Sequence, residues 1–395
     1  MRTIAANYIF PIDGTPIKNG YIKFSDNGEV LEIGELLKEQ EDTEFHNGIL
    51  CPGFTNAHCH IELSHLVGLF KQDTGMSGFI NQINALRLNF GEEERIKALE
   101  EQMDILYKQG VSGLGDISNT SESFKCKANS PLYSRTYLEL FGCLPEDAEQ
   151  VIKETKKLEE TAKEYGIDAA ITPHSCYTTS PKLIELSAKE GLKSGFLSYH
   201  SQESQEEEDL IMYGTGALAD NYRGRNLPTP PVLGRPALIY FINRLLSVLS
   251  KPVKGKIMLV HNVVINQESI SYALENLEEP FFTICPLSNI FIHRALPPLD
   301  LMRKNNLKIC IGTDSLSSNT VLSMIKEIYC IQENFKNIPL NEILTWACLN
   351  GAEAIGKKNE LGSFSVGKKP GAVLIDNIDW ENLKLTEKST SKRII

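Results

Sequence analysis

The sequence predicts an α/β protein built on an eight-stranded (β/α)₈ barrel. From about residue 50 onwards, short apolar and β-rich runs alternate with charged segments of helical period, which is the pattern of repeated βα units on a parallel sheet. Eight such runs occur over about 300 residues, the number that a closed barrel requires. Both chain ends instead show short apolar and polar alternation between turn residues.

The N-terminal stretches TIAANYIF and GYIKFSDNGEVLEIG each read as strands that end in turns. A similar pattern returns near the C-terminus in LGSFSVGKKPGAVLIDN. We therefore expect residues 1–50 and 358–395 to form short strands outside the barrel, and residues 51–357 to form the barrel.

The eight predicted barrel strands precede plausible helices such as 145–165 and 181–191. The strands are 49–60, 113–118, 135–142, 169–174, 195–200, 256–262, 281–289 and 308–314. An open doubly wound sheet is the alternative. It would require a glycine-rich phosphate-binding turn after the first strand, and the sequence contains none there. The segment 209–245 is long and rich in Gly and Pro, so it is either a lid or specificity element or a solvated excursion.

Composition restricts the class of partner. The formal net charge is −11 and 42% of residues are hydrophobic. An acidic protein without a Lys/Arg cluster is not expected to bind nucleic acid or an anionic membrane. The N-terminus has no signal-peptide pattern, and the nine scattered cysteines form no CxxC pair. These observations predict a cytoplasmic protein whose partner is a small-molecule substrate.

Five of the eight histidines lie at or just past the carboxyl end of a predicted strand, which is the active-site face of a barrel. They are His58, His60, His174, His200 and His261. Because residues two apart on a strand point the same way, the first two would face one ligand. A single strand-end histidine is usually a hydrogen-bonded core residue, but an ordered set of five indicates a metal site.

Asp314 closes the last predicted strand in KICIGTDSLSSN. Its carboxylate is either a metal ligand or a helix cap, a role that Ser317, Ser318 or Asn319 would serve equally well. Three imidazoles and one carboxylate with an open position suit Zn²⁺ or Fe²⁺. The histidines favour the ligand role.

The motif CPGFTNAHCHIELS resembles the first-strand signature PGxxNxHxH of the amidohydrolase superfamily. SYHSQES, MLVHN, CPLSN and IGTDSLSSN resemble its fifth to eighth strand ends in the same order, and GSFSVGKKPGAVLID resembles its closing segment. The resemblance covers essentially the whole chain. It implies a barrel joined to a small composite β-sandwich domain built from both termini.

The resemblance also implies a ligand set and a catalytic set. The fourth strand ends in DAAITPHSCYTTS and carries His174 but no bridging Lys, as in the branch of deaminases with a single metal. One divalent metal, zinc or iron, would be held by His58, His60, His200 and Asp314. His261 would polarise the attacking water without binding the metal.

Deaminases of this branch carry a Glu three residues after the fifth-strand histidine, and Glu203 stands there. A metal lowers the pKa of its water from about 15.7 toward 7, and one carboxyl group in hydrogen-bond reach can then move the protons that hydrolysis requires. Asp314 would serve as a second base. The following charge run, 206–209, is expected to be the solvated start of a helix.

The motifs are most similar to deaminases of adenosine derivatives, such as aminodeoxyfutalosine and S-adenosylhomocysteine. By this resemblance His174 and Glu62 would contact the substrate. Ser288 and Asn289 are either substrate contacts or parts of a structural turn. A substrate carboxylate would need a cation, for which the candidates are Arg87, Arg223 and Arg225.

Two rival functions remain open. One is a hydrolase that opens a cyclic amide or removes chloride from another heterocycle, such as guanine, a pterin or a triazine, because barrel loops set substrate choice. The other is a binding protein without catalysis. A homodimer is compatible with barrels of this type.

Overall fold

The computed structural model of the chain describes residues 1–38, 42–87 and 89–395. Sixteen strands lie in these ranges: β1 Arg2–Ile9, β2 Ile17–Phe24, β3 Val30–Glu35, β4 Thr43–Pro52, β5 Phe54–Cys59, β6 Val111–Ser118, β7 Tyr133–Leu140, β8 Asp168–Pro173, β9 Phe196–Ser201, β10 Val253–His261, β11 Leu277–Ile284, β12 Ile309–Ile311, β13 Ala372–Ile375, β14 Ile378–Asp379, β15 Lys384–Leu385 and β16 Ser391–Arg393.

The helices fill the connections between the barrel strands. They are α1 Gly75–Leu86, α2 Glu92–Lys108, α3 Phe124–Asn129, α4 Ala148–Glu164, α5 Pro181–Gly191, α6 Gln205–Tyr213, α7 Gly216–Gly224, α8 Ala237–Leu246, α9 Gln267–Asn276, α10 Pro286–His293, α11 Leu299–Lys304, α12 Met324–Asn334, α13 Leu340–Thr345 and α14 Gly351–Ala354. Shorter 3₁₀ turns cover Ile61–Leu66 and Pro145–Asp147, and a π-helical turn covers Trp346–Asn350.

The predicted (β/α)₈ barrel is confirmed. Strands β5 to β8 form one parallel sheet and β9 to β12 form another. A parallel bridge between Cys59 and Asp314 joins the first barrel strand to the end of the last. At the other seam, the backbone N–H of His200 donates to the carbonyl of His174 at 2.9 Å. Both seams lie at the carboxyl ends of the strands, so closure itself brings site residues together.

Apolar side chains from seven of the eight strands pack into one buried cluster. Its members on the strands include Ala57, Ile117, Tyr137, Ala170, Met258, Phe281 and Cys310. Layers of this kind fill the interior of a barrel and make it a packed core instead of a pore. Polar chemistry is therefore confined to the carboxyl end.

Both predicted helices, 145–165 and 181–191, are present, and local sequence explains where the second one begins. Pro181 occupies the first turn of α5, where its missing N–H costs nothing. The Ser180 hydroxyl accepts the backbone N–H of Leu183 at 3.3 Å and caps the same turn. The segment 209–245 is mostly helical, with α7 and α8 separated by an irregular Pro-rich stretch.

The two chain ends meet in one six-stranded sheet of order β16-β13-β4-β1-β2-β3. Strand β13 pairs antiparallel with β4, and Val373 lies opposite Cys51. The composite β domain expected from both termini is thereby confirmed. All nine cysteines are free thiols. None of the helices in the described ranges combines the length and apolarity that crossing a membrane requires.

Candidate active site

The five strand-end histidines and Asp314 converge at the carboxyl end of the barrel. The Nε2 atoms of His58 and His60 lie 3.2 Å apart, and they are 3.6 and 3.4 Å from Oδ1 of Asp314. The His200 ring lies 4.8 Å from the His58 ring and 5.5 Å from the His60 ring, centre to centre. A tetrahedral zinc site with bonds of 2.0–2.1 Å has ligand atoms about 3.3 Å apart, so these separations suit such an ion.

The titration states of this cluster also suit a metal. Burial lowers the pKa of His60 to about 3, and burial with neighbouring imidazoles holds the pKa of His200 well below its usual value. Burial would raise the pKa of Asp314, but its contact with His58 and the nearby imidazoles keep it well below its ordinary range. Neutral imidazoles and an ionised carboxylate are the forms that bind metals.

Asp314 is oriented by two hydroxyl groups. Ser288 Oγ and Ser318 Oγ donate to its Oδ2 at 2.6 and 2.7 Å. This arrangement leaves Oδ1 directed at His58 and His60. Asp314 also has φ of 57°, in the left-handed region, and residues in such regions cluster at functional sites. From the sequence, Ser288 is either a substrate contact or part of a structural turn. In the structure its hydroxyl contacts the Asp314 carboxylate on the oxygen that does not face the histidines.

His261 lies at the end of β10, with its ring 5.8 Å from that of His58, centre to centre. The side-chain amide nitrogen of Asn289 lies 3.0 Å from His261 Nδ1. An amide N–H that donates to Nδ1 leaves the imidazole proton on Nε2. That Nε2 is buried, has no hydrogen-bond partner in the described part of the chain and lies 3.5 Å from Glu203 Oε1. Asn289, the other candidate in the CPLSN turn, therefore contacts the histidine and does not line the cavity.

Glu203 is held on two sides. Its Oε2 accepts a hydrogen bond from Tyr177 Oη at 2.7 Å, and its backbone N–H donates to Glu207 Oε2 at 2.8 Å. Burial raises the pKa of Glu203 well above its ordinary value, and the hydrogen bond from Tyr177 opposes this effect. A buried carboxyl group with a raised pKa is suited to accept and return a proton near neutral pH.

The charge run 206–209 does begin a helix, α6, but the expectation that it is solvated is wrong for Glu207 and Glu208. Glu207 is fully buried and accepts the backbone N–H groups of Gln202 and Glu203. Glu208 is buried and accepts the backbone N–H of Ala237. The Glu207 carboxylate thus completes the turn that carries Glu203, and the Glu208 carboxylate joins the start of α8 to the Gln202 side chain.

Glu62 follows His60 by two residues but does not line the cavity. One carboxylate oxygen accepts the backbone N–H groups of Asn119 and Thr120, each at 3.1 Å, and the other accepts Ser123 Oγ at 3.0 Å. With both oxygens occupied, Glu62 ties the loop after β5 to the loop after β6. This placement differs from the substrate contact expected from the sequence.

A cavity of about 740 Å³ opens above the cluster, within the range of sites for small ligands. His174, Glu139 and Glu203 line its inner part, and residues of α1 and α7 form its walls. Segment 209–245 thus contributes to the cavity, as a specificity element would. Two of the candidate cations, Arg87 and Arg225, line the cavity.

The third candidate cation, Arg223, pairs instead with Asp220. The contributions of α1, Tyr177 and Glu139 were not recognised in the sequence. Only Glu139 had a local signal, because it lies within the predicted strand 135–142 near its carboxyl end.

Comparison with known proteins agrees with this geometry. The model of the amidohydrolase family matches residues 49–394. A 5-methylthioadenosine/S-adenosylhomocysteine deaminase of Bacillus cereus is 24% identical over 382 residues, 91% of this chain and 81% of that protein. An adenosine deaminase of Helicobacter pylori is 26% identical over 349 residues, 82% of this chain and 78% of that protein.

Among solved structures, H. pylori aminofutalosine deaminase in complex with methylthio-coformycin superposes with a TM-score of 0.81 at 22% identity, covering 100% of both chains. An adenosine deaminase from Xanthomonas campestris with bound zinc gives a TM-score of 0.74 at 18% identity, covering 96% of this chain and 85% of that one. At these identities the structural likeness establishes the fold.

Proposed function

Because this chain belongs to the amidohydrolase family, we propose that its barrel site is that of a metal-dependent deaminase acting on the aminated ring of an adenosine derivative. The observation that carries the proposal is the position of Glu203 between Tyr177 and His261, directly beside the cluster of donor atoms. The relatives that match most of the chain are named as deaminases of adenosine or its thioethers, which supports the substrate class.

The proposed metal site holds one divalent ion through His58, His60, His200 and Asp314. Zinc fits this set of nitrogen and oxygen donors and their spacing, and Fe²⁺ suits the same donors. The end of β8 carries His174 and no Lys, which supports a single ion. When bound, the ion would supply the Lewis acidity that makes a water molecule nucleophilic near neutral pH.

The protein's own groups would move the protons. As water adds to the ring carbon that bears the amino group, Glu203 takes one proton from the water and passes it to the adjacent ring nitrogen. The N–H on His261 Nε2 is placed to donate to the attacking oxygen. Asp314, as second base, takes the remaining hydroxyl proton and delivers it to the amino group. The C–N bond then breaks and ammonia leaves.

The test is an ammonia-release screen of the zinc-loaded protein with aminodeoxyfutalosine, adenosine, S-adenosylhomocysteine, guanine and isoxanthopterin. We expect turnover of one or more of the three adenosine derivatives. Release of ammonia only from guanine or the pterin would overturn the substrate class, and no release from any compound would count against deamination.

Glu203→Gln tests the catalytic assignment. It keeps the side-chain shape but cannot carry the proton, so we expect a normal metal content with turnover reduced at least about 100-fold, as for loss of a general acid–base group. Glu146→Gln is the matched control, because Glu146 is exposed beside α4 and outside the cavity. Near-normal turnover of Glu203→Gln would refute the role.

A further inference from the structure

Glu139, at the end of β7, lines the inner part of the cavity and carries an unused hydrogen-bond acceptor. Its side chain is 1% exposed, and its Oε1 is buried without a hydrogen-bond partner among the described residues. The other oxygen, Oε2, receives Asn119 Nδ2 at 3.4 Å, and the same amide donates to the Glu139 carbonyl at 3.1 Å. The carboxyl group is therefore fixed in place, with one oxygen left for a ligand.

His174 stands next to this oxygen on the cavity wall. An imidazole nitrogen of His174 lies within 4.8 Å of a Glu139 carboxylate oxygen. His174 Nδ1 is occupied by Ser175 Oγ and Thr178 Oγ1, at 2.8 and 2.7 Å, which leaves Nε2 for a ligand. Together the two side chains offer one acceptor and one imidazole nitrogen at neighbouring points of the cavity.

We propose that Glu139 binds a ribose hydroxyl of the substrate, with His174 contacting the adjacent hydroxyl. This inference rests on the proposed deaminase function and assigns the sugar end of that site. A buried acceptor without a donor is costly, and a substrate hydroxyl would supply the missing donor. A carboxylate that accepts ribose hydroxyls is also the arrangement by which dinucleotide-binding folds recognise the sugar.

Two other roles compete for Glu139. Its Oε1 lies 3.4 Å from His200 Nδ1 without forming a hydrogen bond, so it could instead orient that proposed metal ligand, as carboxylates often do. Glu139, His174 and His200 could also hold a second cation, although His200 would then have to serve two ions. The unpartnered Oε1 favours the ribose contact, and metal content distinguishes all three.

The test compares kcat/KM for adenosine, 2′-deoxyadenosine and 3′-deoxyadenosine in zinc-loaded wild type, Glu139→Ala and the exposed control Glu146→Ala. We expect wild type and the control to disfavour one or both deoxynucleosides by about 10- to 100-fold, the range for leaving a buried hydrogen-bonding group without its partner. Glu139→Ala should reduce this preference to within about threefold, by losing activity on adenosine alone. Retained preference in Glu139→Ala overturns the assignment.

Metal analysis and binding complete the experiment. One zinc per chain in both wild type and Glu139→Ala supports the ribose contact. Loss of that zinc in the variant supports the orienting role, and a fall from two ions to one supports the second cation; either result overturns the proposal. Calorimetric binding of the same nucleosides separates the ribose contact from deamination. If wild type binds adenosine more tightly than the deoxynucleosides, Glu139→Ala abolishes that preference and no ammonia is released, only the deaminase function is refuted. If wild type binds all three nucleosides equally, or binds none of them, the ribose contact is refuted.

Discussion

A buried ion pair lies directly beneath the proposed metal site. Lys127 Nζ is 2.6 Å from Asp116 Oδ2, and the two side chains are 1% and 0% exposed. The Lys127 ammonium also donates to two buried hydroxyl groups. Asp116 Oδ1 accepts the backbone N–H of Ile61 at 2.8 Å, and Ile61 follows His60. Lys127→Met would therefore leave a buried carboxylate without its counter-charge at the base of the site.

The expected cost follows from the burial of both partners. Removing one member of a buried pair costs about 3–5 kcal/mol, because the other charge stays desolvated. At about 2.1 cal/mol/K per residue, the entropy of unfolding of 395 residues is about 0.8 kcal/mol/K. The melting temperature should thus fall by about 4–6 °C.

The loss should depend on pH. Burial raises the pKa of Asp116, and Lys127 opposes that rise, so the variant's folded-state pKa should lie still higher above the unfolded value. The buried site of the variant tolerates the neutral form of Asp116 but not its ionised form. The stability of the variant relative to wild type is therefore retained at low pH and lost as the pH rises through the folded-state pKa of Asp116.

Thermal melts of the metal-free proteins at pH 5 and pH 8 measure both effects. Lys125→Met is the matched control, because Lys125 is exposed on the same helix, α3. Asp116→Asn/Lys127→Met removes both charges and keeps an oxygen for Ile61, so it should regain most of the lost stability. The reasoning fails if Lys127→Met melts like the control at pH 8, or if the double variant is no more stable than Lys127→Met.

Two further predictions concern the groups that orient the site. The double variant Ser288→Ala/Ser318→Ala removes both donors to Asp314 Oδ2. It should weaken zinc affinity about 10- to 100-fold, measured by competition with a chelator. Unchanged affinity would show that the hydroxyls do not orient the carboxylate. Tyr177→Phe removes the hydrogen bond that lowers the pKa of Glu203, so the acidic limb of the kcat/KM profile should move to higher pH with metal content unchanged, whereas an unmoved limb would contradict this role.

The barrel and its ring of histidines could be predicted because both depend on short-range pattern. Eight apolar runs set the strands, and the two-residue spacing of His58, on β5, and His60, just past its end, brings the two rings together. Asp314 and Glu203 follow from position relative to strand ends. The family resemblance then related these residues to a metal site, and the distances between the donor atoms suit a tetrahedral ion.

The partners of the polar residues around this ring depended on segments far apart in the chain. Glu62 was expected at the substrate, yet the loop after β6 supplies donors for both of its oxygens. Glu207 looks like a solvated residue in the sequence, yet its carboxylate completes the turn that carries Glu203. Local pattern does not predict such contacts, because most of these donors are backbone N–H groups, which every residue type except proline carries.

Fold class and the convergence of the histidines with Asp314 at one end of the barrel were thus readable from the order of strands and histidines along the chain. The shape of the cavity, the burial of the Lys127–Asp116 pair and the unpartnered oxygen of Glu139 were not. Periodicity and spacing specify where a side chain leaves its own strand, but hydrogen-bond satisfaction is settled only when neighbouring loops pack and exclude water. That packing selects which of several equivalent polar residues faces the ligand.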